Sequence, residues 1–320
     1  MNLQTARLHA ALLSVSLIYG CFYVVVKILF KSMTPPELIL LRFVLTTIIV
    51  VLVDQLILKN PPPDRRDMPR IVCLGLTGVF AVQILLAVGL NMTTVFHSAL
   101  IMSTIPIFTL IISICTGQER FHIKKLNGIA MAFMGVLVLL LFSGGPDVDL
   151  PPDYLVGDAV VLMNSLSFAW FLVESKKMLA RYNPFSFMSY CYMASTILYT
   201  VFYLLGNWIK TGTLGMSFMA NLSVADWLLV LYVVVFASIT TYTLNNFALK
   251  RTNPSVVAIY IFIQPIISAV TAFYLLGEPF TLGMAVATAL TFSGILLTIN
   301  ASDAIVTEAV TEPPDSETSS

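Results

Sequence analysis

Four apolar stretches of this chain carry polar side chains at helical spacing, and these are the residues able to do chemistry. One holds Ser16, Tyr19, Tyr23 and Lys27, and a second holds Asn164, Ser167, Phe171 and Glu174 with Trp170 beside them. A third holds Ser238, Thr241, Tyr242 and Asn245, and a fourth Tyr260, Gln264, Ser268 and Thr271. Intervals of three and four put each set on one side of a helix. A polar side chain in hydrocarbon is costly unless it faces water or another polar group. Stripes on four segments therefore imply a shared polar interior that can hold a small solute. Ser, Thr and Asn also join helices by hydrogen bonds worth about 1 kcal/mol. That leaves Tyr23, Asn164, Trp170, Tyr242, Asn245 and Gln264, as large polar groups, the better candidates for a cavity wall.

Charge inside the apolar stretches is sparse. Lys27 and Arg42 are the basic residues well within them, and either attracts an anionic solute group or pairs with Glu37 and reaches outward along its own stem. Glu174 stands beside Lys176 and Lys177, which favours an ion pair near a membrane surface. His97 is placed to titrate near neutral pH or to serve as a plain hydrogen-bonding group. No carboxylate stands at mid-stretch, which argues against a proton or sodium relay of the acidic kind. The histidines are His9, His97 and His122, and there is no HExxH, GxSxG or P-loop pattern. An enzyme and an ATP-driven pump are both disfavoured. Cys21, Cys73, Cys115 and Cys191 have no paired spacing and read as packing residues. Neither a cofactor nor a metal is expected.

The elements that must position these residues follow from composition. Of 320 residues, 58% are hydrophobic and 11% charged, against about a quarter charged in soluble domains. The mean hydropathy of +0.90 belongs to a multi-pass membrane protein. Ten stretches are long enough to cross a core of about 30 Å: about 9–30, 35–58, 70–90, 94–116, 124–142, 157–177, 184–205, 226–248, 254–276 and 281–299. The first is too long for the apolar core of a signal peptide and reads as a span. With both termini cytoplasmic, thirteen Lys or Arg gather on the cytoplasmic side, in and beside the loops, and only Lys31 and Lys210 lie outside. That is the positive-inside pattern, and a plasma or bacterial inner membrane is the expected location. The net charge of zero makes nucleic acid an unsuitable partner.

The chain also repeats itself. Shifting one copy by 159 positions (265 less 106) carries Ala99 onto Ala258, Pro106 onto Pro265, Glu119 onto Glu278 and Gly135 onto Gly294. Five spans per half is an odd number, so the second copy must enter the membrane from the opposite side. The loop charges agree: Arg120 and Lys124 correspond to Pro279 and Gly283, while Lys250 and Arg251 correspond to Asn91 and Met92. An inverted-topology repeat is the build of many secondary transporters. The expected fold is an all-α membrane protein, ten transmembrane helices as two five-helix inverted repeats around a central cavity. The halves are 1–150 and 151–300, and 301–320 reads as a disordered acidic cytoplasmic tail. Pro106 and Pro265 would bend their helices in mid-span, as paired hinges or as fixed kinks.

Taken together, Tyr19-Gly20 with Lys27, Pro36 with Leu41-Arg42-Phe43, and the repeated Ala, Pro and Glu positions carry a resemblance. Gly157-Asp158 and Ala169-Trp170 add to it. The chain resembles the drug/metabolite transporter superfamily, specifically its EamA-type ten-span members, over nearly its whole length except the acidic tail. Tyr19 and Gln118 depart from the usual pattern. The resemblance implies export or facilitated movement of amino acids or other small metabolites. The expected function is thus a secondary transporter working by alternating access. A nucleotide-sugar or sugar-phosphate antiporter is the runner-up, weakened by its need for several cavity cations. An intramembrane enzyme is the alternative from another class. The candidate contact residues are Tyr19, Tyr23, Lys27, His97, Asn164, Trp170, Tyr242, Asn245, Tyr260 and Gln264. Pro106, Pro265, Glu119 and Glu278 are hinge or scaffold residues. The expected partners are a small-molecule substrate and the lipid bilayer, with a homodimer left open.

Overall fold

A computed structural model describes residues 3–92, 101–143, 154–211, 219, 221–276 and 282–311. Among them there is no strand, and a helix lies on each of the apolar stretches. The helices are α1 (Leu3–Leu29), α2 (Pro35–Leu52), α3 (Met68–Gly75), α4 (Val82–Met92), α5 (Ile105–Cys115), α6 (Ile123–Ser143) and α7 (Tyr154–Leu179). They continue with α8 (Pro184–Thr211), α9 (Val224–Val234), α10 (Thr241–Leu249), α11 (Pro254–Ile259), α12 (Ile263–Leu276) and α13 (Leu282–Thr311). Five continuous stretches are long and apolar enough to cross a membrane: Pro35–Leu58, Met68–Gly89, Leu155–Leu179, Pro184–Ile209 and Val224–Leu249. Shorter apolar helices lie at Ala6–Phe22, Ile105–Cys115, Pro254–Ile267 and Ala285–Ala301.

Local chemistry explains where the rods start. Proline opens α2, α8 and α11, where its missing N–H costs nothing and its fixed φ suits a first turn. At α9 a capping box does the same work, with Asp226 N–H donating to Ser223 Oγ at 3.2 Å and Ser223 N–H to Asp226 Oδ2 at 3.0 Å. Pro106 and Pro265 behave differently from the mid-helix bends expected. Pro106 is the second residue of α5, after a turn at Ser103–Thr104, and Pro265 is the third of α12, after a 3-10 turn at Tyr260–Phe262. Proline removes a donor and crowds the carbonyl four residues back, so each rod breaks just ahead of its proline.

Two other rods are interrupted by π turns. Leu76–Ala81 joins α3 to α4, and Val235–Thr240 joins α9 to α10. A shift of 159 positions (235 less 76) superposes one turn on the other. A π turn misaligns the backbone ladder and presents carbonyls to other partners. Gly78 and Ala237, equivalent under the same shift, each offer their carbonyl to a distant side chain.

The packing has a matching regularity. α1 lies against α12 and α10, and α7 lies against α5 and α4. α2 pairs with α8, and α6 with α13. Exchanging the first and second halves leaves this pattern unchanged. The α6–α13 contact is antiparallel and very close. A Cβ on Gly128 would sit 2.8 Å from the Gly294 carbonyl, and one on Gly135 would sit 2.8 Å from the Ala287 carbonyl. α2 and α8 are also antiparallel, with Tyr199 Oη donating to the Pro36 carbonyl at 3.0 Å and Ser189 Oγ to Asp54 Oδ2 at 3.0 Å. α13 runs through Thr311, into the segment expected to be a disordered tail.

Candidate functional site

At the centre of the bundle is a cavity of about 70 Å³. Six of the residues predicted from sequence line it: Tyr19, Asn164, Tyr242, Asn245, Tyr260 and Gln264. They come from α1, α7, α10, the 3-10 turn and α12, so both halves of the chain contribute. His97 and Glu278 lie outside the described residues, as do the side chains of Tyr23 and Lys27. Trp170 is not brought to the cavity. It is 42% exposed on the outer surface of α7. The cavity face of that helix is Asn164, Phe168 and Leu172, and Trp170 is turned about 200° from Phe168. The remainder of the predicted α7 stripe is a packing face. Ser167 Oγ donates to the Thr77 carbonyl at 2.8 Å, and Phe171 lies where a Cβ on Gly78 would stand.

The polar groups at the cavity are mostly held by the protein. Tyr260 Oη lies 2.6 Å from His9 Nδ1, with the two rings stacked, and its carbonyl accepts from Ser16 Oγ at 2.8 Å. Tyr242 Oη donates to the Gly78 carbonyl in the π turn at 3.2 Å. Asn164 Nδ2 donates to the Val82 carbonyl, while its Oδ1 is buried without a hydrogen-bond partner. His9 lies on the same face of α1 as Ser16 but is separated from the polar run by Leu12 and Leu13, so the stripe pattern did not reach it.

Arg42 is the charged residue of this wall. It is 3% exposed and does not pair with Glu37, whose carboxylate instead accepts from Thr34 N–H at 2.6 Å at the start of α2. Its Nε donates to Ser238 Oγ at 2.6 Å, Nη1 to Gln83 Oε1 at 3.0 Å and Nη2 to the Ala237 carbonyl at 2.9 Å. The guanidinium lies 5.0 Å from the centre of the Phe22 ring. A second, more apolar cavity of about 70 Å³ shares Phe22, Arg42, Gln83 and Leu86 with the first and continues to Phe30 and Pro35. Arg42 therefore stands at the junction of a path toward one end of the bundle.

The other end is tied shut by charge. The Glu119 carboxylate accepts from Ser255 N–H at 3.1 Å and Ser255 Oγ at 2.6 Å, capping α11, and it also takes Lys125 Nζ. The side chains of Glu119 and Lys125 are each 1% exposed. Removing one partner of such a pair strands a buried charge, a loss of about 3–5 kcal/mol. Glu174 pairs with Arg70 and Lys177, while Lys176 reaches Asn253 Oδ1 at 2.9 Å. In the adjoining loops the Tyr182 hydroxyl, donating to Asp67 at 2.7 Å, holds the Asp67 carboxyl below its ordinary range, with help from the Arg181 guanidinium. Ser255 was not predicted; only its place two residues after Asn253 at a helix start hinted that it would need a cap.

Apolar helices packed around a small cavity, with polar side chains set in a largely apolar lining, define a helical membrane protein. The chain belongs to the EamA-like transporter family, which it matches over residues 8–141 and 155–300. An uncharacterized transporter of Archaeoglobus fulgidus is 24% identical to it, over 92% of this chain and 98% of the relative. The uncharacterized inner membrane transporter YedA of Escherichia coli is 24% identical over 86% of this chain and 85% of its own. A WAT1-related protein of Arabidopsis thaliana is 25% identical over 67% and 57%. A solved crystal structure at 16% identity shares the fold, with a TM-score of 0.75 over 94% of this chain and 99% of that one. The chain is thus a membrane transporter by family.

Proposed function

We propose that this protein is a ten-span secondary transporter that moves a small organic metabolite, such as an amino acid, by alternating access. Its halves, 1–150 and 151–300, act as inverted copies around the central cavity, with both termini in the cytoplasm of a cell bounded by the plasma or inner membrane. The observation that carries this reading is the cavity itself, to which both halves contribute polar groups, beside rods broken at equivalent positions. Rods with interrupted ladders at a central site are the usual means of building a solute site in a transporter. The path past Arg42 at one end and the Glu119–Lys125–Ser255 closure at the other support a state open toward the outside. A nucleotide-sugar antiporter fits less well, because among the described residues Arg42 is the only cation in the wall.

Counterflow in proteoliposomes tests the proposal. Vesicles holding the purified chain, preloaded with a mixture of unlabelled amino acids and other small metabolites, should accumulate one labelled member of the mixture transiently. The accumulation should fall at least fivefold in Gln264→Ala. A panel in which no labelled solute exchanges faster than in protein-free vesicles would overturn the reading.

A further inference from the structure

We propose that Arg42 is the docking point for a carboxylate, so that the cavity selects organic monoanions with an apolar or aromatic body. This rests on the transport reading above and names the class of solute at that site.

Arg42 is 3% exposed and lines both the central cavity and the adjoining one. Its three hydrogen-bond acceptors, Ser238 Oγ, Gln83 Oε1 and the Ala237 carbonyl, are all neutral. Among the described residues no carboxylate reaches it and none lines either cavity. Buried cations are costly without an opposite charge, and among the described residues the Arg42 guanidinium has none, so an anionic solute would supply one.

Geometry narrows the solute further. A guanidinium has five N–H groups in a planar fork, and three of them are enough for the bonds just named. The others match a carboxylate. The three protein bonds fix the plane of the fork, and the π turn supplies the Ala237 carbonyl that one of them needs. A dianionic phosphate would leave one negative charge unmatched among the described residues. The rest of the wall is largely apolar and aromatic, with Leu86, Ile105 and Phe168 facing the same space. A carboxylate on a hydrophobic body fits both halves of that description.

The full-length chain in lipid nanodiscs, titrated calorimetrically with phenylacetate and with the neutral phenylacetamide, provides the test. The acid should bind at least tenfold more tightly than the amide. Arg42→Gln should bring the acid down to the level of the amide, and Arg42→Lys should keep part of the preference. Equal binding of acid and amide, no binding of the acid, or unchanged acid binding in Arg42→Gln would each overturn the proposal. The acid–amide comparison uses the native chain, so a missing acid preference overturns the proposal even if the variants do not fold. Counterflow separates the two readings. Exchange of neutral or cationic solutes without any acid preference would remove the docking point and leave transport standing. Acid preference with no exchange would remove transport and leave the site.

Discussion

At the scale of single residues, what a side chain already holds decides what it can offer a solute. Tyr260 and Tyr242 have their hydroxyls engaged by His9 and by the Gly78 carbonyl, which fixes their rings as walls. Asn164 is different. Its Nδ2 is anchored on the Val82 carbonyl while its Oδ1 is buried at the cavity without a partner. A buried acceptor left unpaired costs about 1–3 kcal/mol, a loss that a solute N–H or O–H would recover. Asn164→Ala should therefore cut transport in proteoliposomes at least fivefold. Ser167→Ala, one turn along the same helix but bonded to the Thr77 carbonyl of the neighbouring rod, should leave the rate within twofold. Equal losses in the two variants would show that Asn164 merely joins helices.

Elements explain which sequence signals could be read and which could not. Apolar length placed a helix on every stretch, because a rod surrounded by hydrocarbon must satisfy its own backbone. Pro106 and Pro265 marked real interruptions, since the cause is local to the proline, although each rod breaks ahead of the proline and not at it. The π turns at Leu76–Ala81 and Val235–Thr240 carry no proline to mark them, although in the second Ser238 and Thr240 each donate to the carbonyl five residues back. Their carbonyls also take partners far along the chain, as when Arg42 reaches Ala237 and Tyr242 reaches Gly78, and no spacing announces them. Polar stripes were legible as faces but not as destinations. On α7 the same periodicity serves the cavity at Asn164 and the neighbouring rod at Ser167, and it leaves Trp170 outside. The glycines of α6 and α13 were visible as an echo, and their purpose is close approach. A Cβ on Gly294 would stand 2.4 Å from the Ala132 amide nitrogen. Small residues let helices meet where no hydrophobic force drives them together. Gly294→Leu should force these two helices apart, lowering the melting temperature in detergent by several degrees or more, whereas Gly206→Leu, with open space around its Cβ, should leave it within about a degree or two.

For the whole molecule, the halves match in sequence, in the positions of their breaks and in their pattern of packing. Exchange of the halves carries α1 against α12 onto α7 against α5, and it carries each antiparallel pair, α2 with α8 and α6 with α13, onto itself. A single solute site between two inverted copies has equivalent routes to both membrane faces, which is the geometric basis of alternating access. An inverted arrangement of the halves would have a direct consequence for the loops. Arg120, exposed beside the buried Glu119–Lys125 pair, and Pro279 are equivalent under the 159-position shift (279 less 120), so an inverted chain must present them to opposite sides. With the native Cys21, Cys73, Cys115 and Cys191 replaced by serine or alanine, Arg120→Cys and Pro279→Cys can be probed in intact cells with a membrane-impermeant maleimide. Pro279→Cys should label from outside, and Arg120→Cys only after the cells are opened. The side taken by Arg120 also reads out where the basic loops lie, since Lys125, Lys176 and Ser255 gather around the same end of the bundle. Labelling of both positions from one side would overturn the inverted repeat, and with it the two-route account of how the cavity is reached.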